Sequence, residues 1–172
     1  MRIRVAQESD AEALRAYAEA LFAEELPGIY RREVPSLEDE LAFIRSHVDP
    51  ANSTLMLAEE DGRIVGIIGF LGHDPPDERH SGEFGLSVAE GYRGRGIGTA
   101  LIEALLEWAP PRGISRIEVR SWSNNPAATR LYRRMGFVQE GYAREAILRD
   151  GEAIDVHVMA RLLPRRETPA DD

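Results

Sequence analysis

The chain contains neither cysteine nor lysine, and all 21 of its Lys+Arg residues are arginine. Without cysteine it forms no disulfide and offers no thiolate nucleophile, which favours a reducing compartment. Without lysine it matches neither the P-loop, which ends in Gly-Lys-[Ser/Thr], nor the protein-kinase pattern with its strand lysine. No apolar run is long enough to cross a bilayer. Residues Met1 to Val5 lead straight into strand-like sequence, so no signal peptide is read and the cytoplasm is the expected compartment. A basic face is scarce as well. The net charge is -9 and the pI ≈ 5.0, which disfavours a general nucleic-acid binder.

The 172 residues are 43% hydrophobic and 30% charged, values of a soluble globular chain with one core. The expected organisation is a single domain over residues 1–163 and a polar, disordered tail over 164–172. A first strand spans Arg2 to Ala6. Ser9-Asp10 then offer an N-cap to a helix over Ala11 to Ala23, apolar at Leu14, Tyr17, Ala18, Leu21 and Phe22. Pro27-Gly28 and Pro35 break the stretch that follows. Ser36-Leu37-Glu38-Asp39 resembles a capping box, with Asp in the place of Glu, and opens a second helix to about His47.

Ser53 to Glu59 and Arg63 to Leu71 read as strands about the turn Asp61-Gly62. A polar loop leads to a strand over Gly82 to Val88, then a glycine-rich run, then a helix to Ala109 stopped by Pro110-Pro111. Ile114 to Ser121 is a strand and Asn125 to Met135 a helix. Phe137 to Leu148 and Ala153 to Arg161 form a last hairpin about Asp150-Gly151. The order β-α-α-β-β-β-α-β-α-β-β argues for an α/β fold of the α+β type, with a mixed, largely antiparallel sheet flanked by helices.

The most informative segment is Tyr92-Arg93-Gly94-Arg95-Gly96-Ile97-Gly98. Placed between a strand and a helix, it can aim several backbone N–H groups at one point. Glycine removes the Cβ that would obstruct a ligand, and the helix start adds a positive dipole end. Together these make a phosphate site. Gly94, Gly96 and Gly98 do not fit the G-x-G-x-x-G dinucleotide spacing. Arg93, Gly96 and Gly98 do fit Arg-x-x-Gly-x-Gly, which resembles the pyrophosphate-binding loop of the GNAT superfamily of N-acetyltransferases. A second signature of that superfamily has Asn, then Ala three on, Tyr seven on and a closing Gly-Phe. It resembles Asn125, Ala128, Tyr132 and Gly136-Phe137. The resemblance spans roughly the whole chain and is specific from Glu83 to Phe137.

That resemblance implies acetyl-CoA as cosubstrate, no metal, and a V-shaped gap between the fourth and fifth strands that admits the pantetheine arm. Backbone groups near Leu86 and Val88 would bind that arm. Arg93, Gly94, Arg95, Gly96, Ile97, Gly98 and Thr99 would hold the pyrophosphate. Asn125 would contact the pantetheine or cap its helix, and Arg134 or Arg130 would reach the 3′-phosphate. Tyr132 would face the CoA sulfur. Glu83 is the candidate general base, sharing a strand face with Gly85 and Ser87. Asp155 and His157 are reserve bases, and His73 and His80 are read as solvated. The acceptor site is expected between the loop from Leu26 to Pro35 and the last hairpin, with Tyr30, Glu24, Glu25 and Trp122 as wall residues.

Charge is uneven. Acidic residues outnumber arginines from Glu8 to Asp49, which suits a cationic amine acceptor. Arg93, Arg95, Arg130, Arg133 and Arg134 make a basic patch suited to a polyanionic cofactor. Three readings stay open: transfer to a small primary amine, transfer to a protein N-terminus or lysine, and a non-catalytic acyl-CoA sensor. Many relatives pair as homodimers through their late strands.

Overall fold

Strand β2 (Thr54–Glu60) explains the architecture. Leu55 and Leu57 alternate with Met56 and Ala58, and all four are buried. Successive residues of a strand point to opposite faces, so this sheet needs a cover on both sides. The computed structural model, which describes residues 1–30 and 33–165, provides it. Leu55 and Leu57 pack with Leu14 and Ile44 from helices α1 (Ala11–Ala23) and α2 (Leu37–Val48). Met56 and Ala58 pack with Leu101, Ile102 and Leu105 of α3 (Ile97–Trp108), in a core that extends to Tyr132 on α4 (Pro126–Arg134).

The sheet is completed by β1 (Arg2–Val5), β3 (Arg63–Gly72), β4 (Ser81–Val88), β5 (Arg116–Trp122), β6 (Val138–Arg149) and β7 (Glu152–Leu162). Its spatial order is β1-β2-β3-β4-β5-β7-β6. Every neighbouring pair is antiparallel except β4 and β5, which are parallel. The α/β class and the element order read from the sequence are those of the structure. No helix of the described residues is long and apolar enough to cross a membrane. The tail expected over residues 164–172 lies outside the described residues from 166 onward, as do residues 31 and 32 of the loop before α2.

Helix α2 starts as the sequence suggests. Ser36 Oγ accepts from the Asp39 N–H at 3.1 Å, and the Ser36 N–H donates back to Asp39 Oδ2 at 3.1 Å. The start of α1 differs. Glu8–Asp10 forms a 3-10 turn, and the Asp10 carboxylate serves that turn by accepting from the Gln7 N–H at 2.8 Å. It is also gripped by Arg4 through two bonds of 2.7 and 2.8 Å, which hold its carboxyl below the usual range. A tertiary partner on β1 has taken the side chain that would otherwise cap the helix.

Gly82 sits between two strands, paired with Gly72 of β3 on one side and Ile117 of β5 on the other. A Cβ there would lie 2.3 Å from the Leu71 carbonyl oxygen and 2.8 Å from the Gly72 Cα. Both are backbone atoms of β3, so the strand itself would have to shift. Gly82→Ala is expected to lower unfolding stability by about 1–3 kcal/mol, the usual cost of overpacking. Gly85, two residues on, has nothing within 4 Å of its built Cβ. Gly85→Ala should therefore stay within about 0.5 kcal/mol of the parent, as for other surface changes. Urea denaturation of the two variants checks the contrast, and equal losses would refute it.

Candidate active site

The parallel contact between β4 and β5 is short. It comprises Ser81↔Arg116, Gly82↔Ile117 and Glu83↔Glu118, after which the strands part, although β4 runs on to Val88 and β5 to Trp122. On its other edge β4 stays paired with β3 as far as Val88↔Gly66. The direction of the freed backbone follows from alternation. His73 N donates to Ser81 O and Ala89 N to Val65 O, each at 2.9 Å, so the odd-numbered residues of β4 bond β3. The N–H groups of Leu86 and Val88 therefore point toward β5, beyond its last paired residue. The carbonyl of Val88 obeys the same rule and accepts from Arg93 Nε at 2.9 Å.

A cavity of ≈ 1230 Å³ opens at this parting. It exceeds the ~300–1,000 Å³ of ordinary small-ligand sites, which leaves room for two substrates. The sheet divides it. Phe84, Leu86 and Val88 face the α3 and α4 side. Glu83, Gly85 and Ser87 face the other side, where the Tyr17 hydroxyl lies 3.0 Å from Ser87 Oγ.

Helix α3 begins at the cavity without a side-chain cap and with no acidic residue in its first turn. Its first intrahelical bond runs from Ala100 N to Gly96 O, so the N–H groups of Ile97, Gly98 and Thr99 lack intrahelical partners. Gly96, Gly98 and Thr99 line the cavity. Gly96 has φ +82, a left-handed conformation that turns the chain into the helix and that a side chain would strain. Gly98 is needed for closeness: a Cβ there would lie 3.2 Å from Leu131 and 3.5 Å from Leu86. The helix starts two residues earlier than its apolar pattern suggested.

The two loop arginines are otherwise engaged. Arg93 lines the cavity, but its Nη2 lies 2.6 Å from Glu24 Oε2 at the end of α1, so its charge is paired. Arg95 turns outward to Glu60 at 2.7 Å and stacks over Tyr92. What this loop offers an anion is mainly backbone N–H and helix dipole. Arg130 and Arg134 of α4 line the cavity, exposed, and make no ion pair among the described residues.

Tyr132 is 6% exposed, lines the cavity, and sits edge-on to Phe84 with centroids 5.5 Å apart. Its hydroxyl makes no hydrogen bond among the described residues. Burial pushes its pKa up to about 12, so it holds its proton at neutral pH. Asn125 does two jobs. Oδ1 caps α4 through the Ala128 N–H at 3.2 Å, and Nδ2 donates to the Pro27 carbonyl at 3.1 Å. Glu83 lines the cavity and stays open to solvent through its mouth. Desolvation by the walls nevertheless raises its carboxyl above the ordinary range. Arg120 opposes that shift, Glu118 adds to it and His73 opposes it.

The reserve bases stand elsewhere. Asp155 accepts from the Tyr142 hydroxyl at 2.6 Å and the Glu145 N–H at 2.7 Å, which lower its pKa, and His157 meets Gln139 at 3.1 Å. Neither lines the cavity. Of the expected wall residues Tyr30 and Trp122 line it and meet edge to face at 5.3 Å, whereas Glu24 and Glu25 do not. His73 Nδ1 is 3.0 Å from Ser81 Oγ. Among the described residues no three His, Asp or Glu converge to hold a metal.

Two arginines at or beside the cavity were not among the expected site residues. Arg149 lies over the Trp122 ring at 4.8 Å and donates to the Ile29 carbonyl at 2.8 Å, tying the loop after α1 to β6. Arg120 faces the cavity from β5. Strand alternation with buried Ile117 and Val119 was the available signal for it.

A mostly antiparallel sheet that parts around its one parallel pair, beside an uncapped glycine-rich helix start, defines an N-acetyltransferase fold. The chain belongs to the acetyltransferase (GNAT) family, whose model matches residues 13–137. It is 30% identical over 163 residues to the L-amino acid N-acetyltransferase AaaT of Escherichia coli, covering 93% of this chain and 96% of that protein. The structure of a GNAT-family acetyltransferase from Streptococcus pneumoniae superposes with a TM-score of 0.88 at 28% identity, covering 95% of this chain and 99% of that one. Salmonella typhimurium yncA, solved with its cofactor acetyl-CoA, superposes with a TM-score of 0.87 at 21% identity, covering 100% and 99%. That last likeness speaks to the fold.

Proposed function

We propose that the protein transfers the acetyl group of acetyl-CoA directly to the primary amine of a small molecule. The observation that carries this is the meeting, in one cavity, of the strand gap, the uncapped start of α3 and the Tyr132 hydroxyl. The residues fit the cosubstrate. The N–H groups of Leu86 and Val88 match the amide-bearing pantetheine arm. Those of Ile97, Gly98 and Thr99, with the helix dipole, match the pyrophosphate. Arg130 and Arg134 supply charge for a further phosphate.

Each group has a task. Backbone donors aimed into the gap stabilise the oxyanion that develops on the thioester carbonyl, at roughly 3 kcal/mol apiece. Tyr132 donates a hydrogen bond to the departing sulfur. Full proton transfer from a phenol at about 12 to a thiolate at its ordinary ~8.5 is uphill by about 5 kcal/mol. Tyr132 therefore steadies the thiolate without losing its proton to it. Glu83 takes a proton from the acceptor's ammonium, directly or through one water, so that the neutral amine attacks the thioester carbonyl as the C–S bond breaks. The names of the relatives, an amino-acid acetyltransferase among them, support a small-molecule acceptor.

A base works deprotonated, so kcat/KM should rise with pH through the Glu83 pKa. Desolvation raises that pKa, which places the limb above the ordinary carboxylate range. Glu83→Gln should abolish this limb and lower kcat by roughly 10²-fold, the lower end of general-base effects. The pH profile of thiol release measures it. An acidic limb that survives unchanged in Glu83→Gln would remove Glu83 from the role.

A further inference from the structure

Arg120 is a guanidinium that the chain itself does not use. It lies two residues beyond Glu118, where β4 gives up its pairing with β5. Alternation puts it on the sheet face of Glu118 and Trp122, opposite Val119, which is buried against the α3 and α4 core. Arg116 on the same strand is held by Glu118 at 2.8 Å and Glu140 at 2.6 Å. Arg120 is exposed, lines the cavity, and makes no hydrogen bond or ion pair among the described residues. Glu118, its neighbour two residues away, is already spent on Arg116. Glu83 feels the charge of Arg120 without touching it.

We propose that Arg120 binds an anionic group of the acceptor, so that the preferred acceptor is an amine that also carries a carboxylate or similar oxyanion. This deepens the acetyl-transfer reading and rests on it. A guanidinium fork matches a carboxylate through two parallel hydrogen bonds. The cosubstrate's phosphates are poor candidates for this role, because the α3 start and α4 lie on the opposite face of the sheet. The amine and the anion of one zwitterion instead find Glu83 and Arg120 on a single face. The acidic first third of the chain is consistent with this, since the acceptor still presents an ammonium. Polyamines and protein lysine side chains lack the anion and would leave Arg120 unmatched.

The test compares amino acids with the amines left when their carboxylate is removed: leucine with 3-methylbutylamine, phenylalanine with phenylethylamine. Wild-type protein should favour the carboxylated member by at least about 30-fold in kcat/KM. In Arg120→Gln that ratio should fall below about threefold, and Arg120→Lys should restore part of it. The same ligands are titrated by calorimetry into protein saturated with CoA, where the preference should reappear in Kd. Equal use of both members by wild type, or an equal loss for both in Arg120→Gln, overturns the proposal and leaves acetyl transfer standing. Equal loss would mean that Arg120 only tunes Glu83. Absence of thiol release with either member would count against acetyl transfer to small amines. The calorimetric preference then decides the Arg120 proposal separately: its absence overturns it, and its presence keeps the anion site.

Discussion

Tyr132→Phe should lower kcat at least tenfold while the Kd for acetyl-CoA changes less than twofold. The ring is 6% exposed and packs edge-on against Phe84 and, at 6.1 Å, against Phe137, so Phe preserves the packing. Only the hydroxyl is lost, and it has no partner among the described residues, so no internal hydrogen bond goes with it. A donor that strengthens its contact as charge builds on sulfur acts in the transition state and not in the ground state. That is why kcat should fall and cofactor affinity should not. Steady-state thiol release with calorimetry separates the two. An unchanged kcat would exclude Tyr132 from catalysis, and a parallel loss of affinity would assign it to binding.

Thr99→Asp should weaken acetyl-CoA binding at least 100-fold while leaving the fold as stable or slightly more so. Thr99 is the third residue of α3, and its side of the helix start lines the cavity. A carboxylate in the first turn of an uncapped helix is favourable by about 0.3–1 kcal/mol. The same carboxylate competes for the N–H groups assigned to the pyrophosphate and repels it. Two like charges about 4 Å apart repel by about 4 kcal/mol at a surface-like dielectric. Calorimetry reads the first effect and thermal melting the second. Undiminished binding would mean that the start of α3 is not the anion site. A loss of both binding and stability would indicate simple damage to the helix.

These effects were legible in the sequence because their causes are local. An N-cap at Asn125 is a demand that a few neighbouring residues impose, and the structure meets it, whereas the left-handed turn at Gly96 emerged only with the fold. The strand gap was an expectation of resemblance alone. Its physical signature, pairing that stops at Glu83↔Glu118, depends on register between strands distant in sequence. The same distance hid the fate of the charges. Arg93 fits the phosphate-loop pattern, yet its guanidinium is drawn to Glu24 across 69 positions of chain. Asp10 was a plausible cap until β1 docked Arg4 against it. Arg120 could be assigned to the outward face of its strand, but its lack of a partner follows from where β4 departs.

The most direct test of the account is a calorimetric titration of acetyl-CoA into the wild-type protein, followed in the same sample by thiol release against a panel of small amines. Saturable one-to-one binding is expected, with thiol release that depends on amine. Failure to bind acetyl-CoA would contradict the assignment of the β4–β5 gap and the α3 start. Binding without release across the panel would contradict acetyl transfer to a small amine.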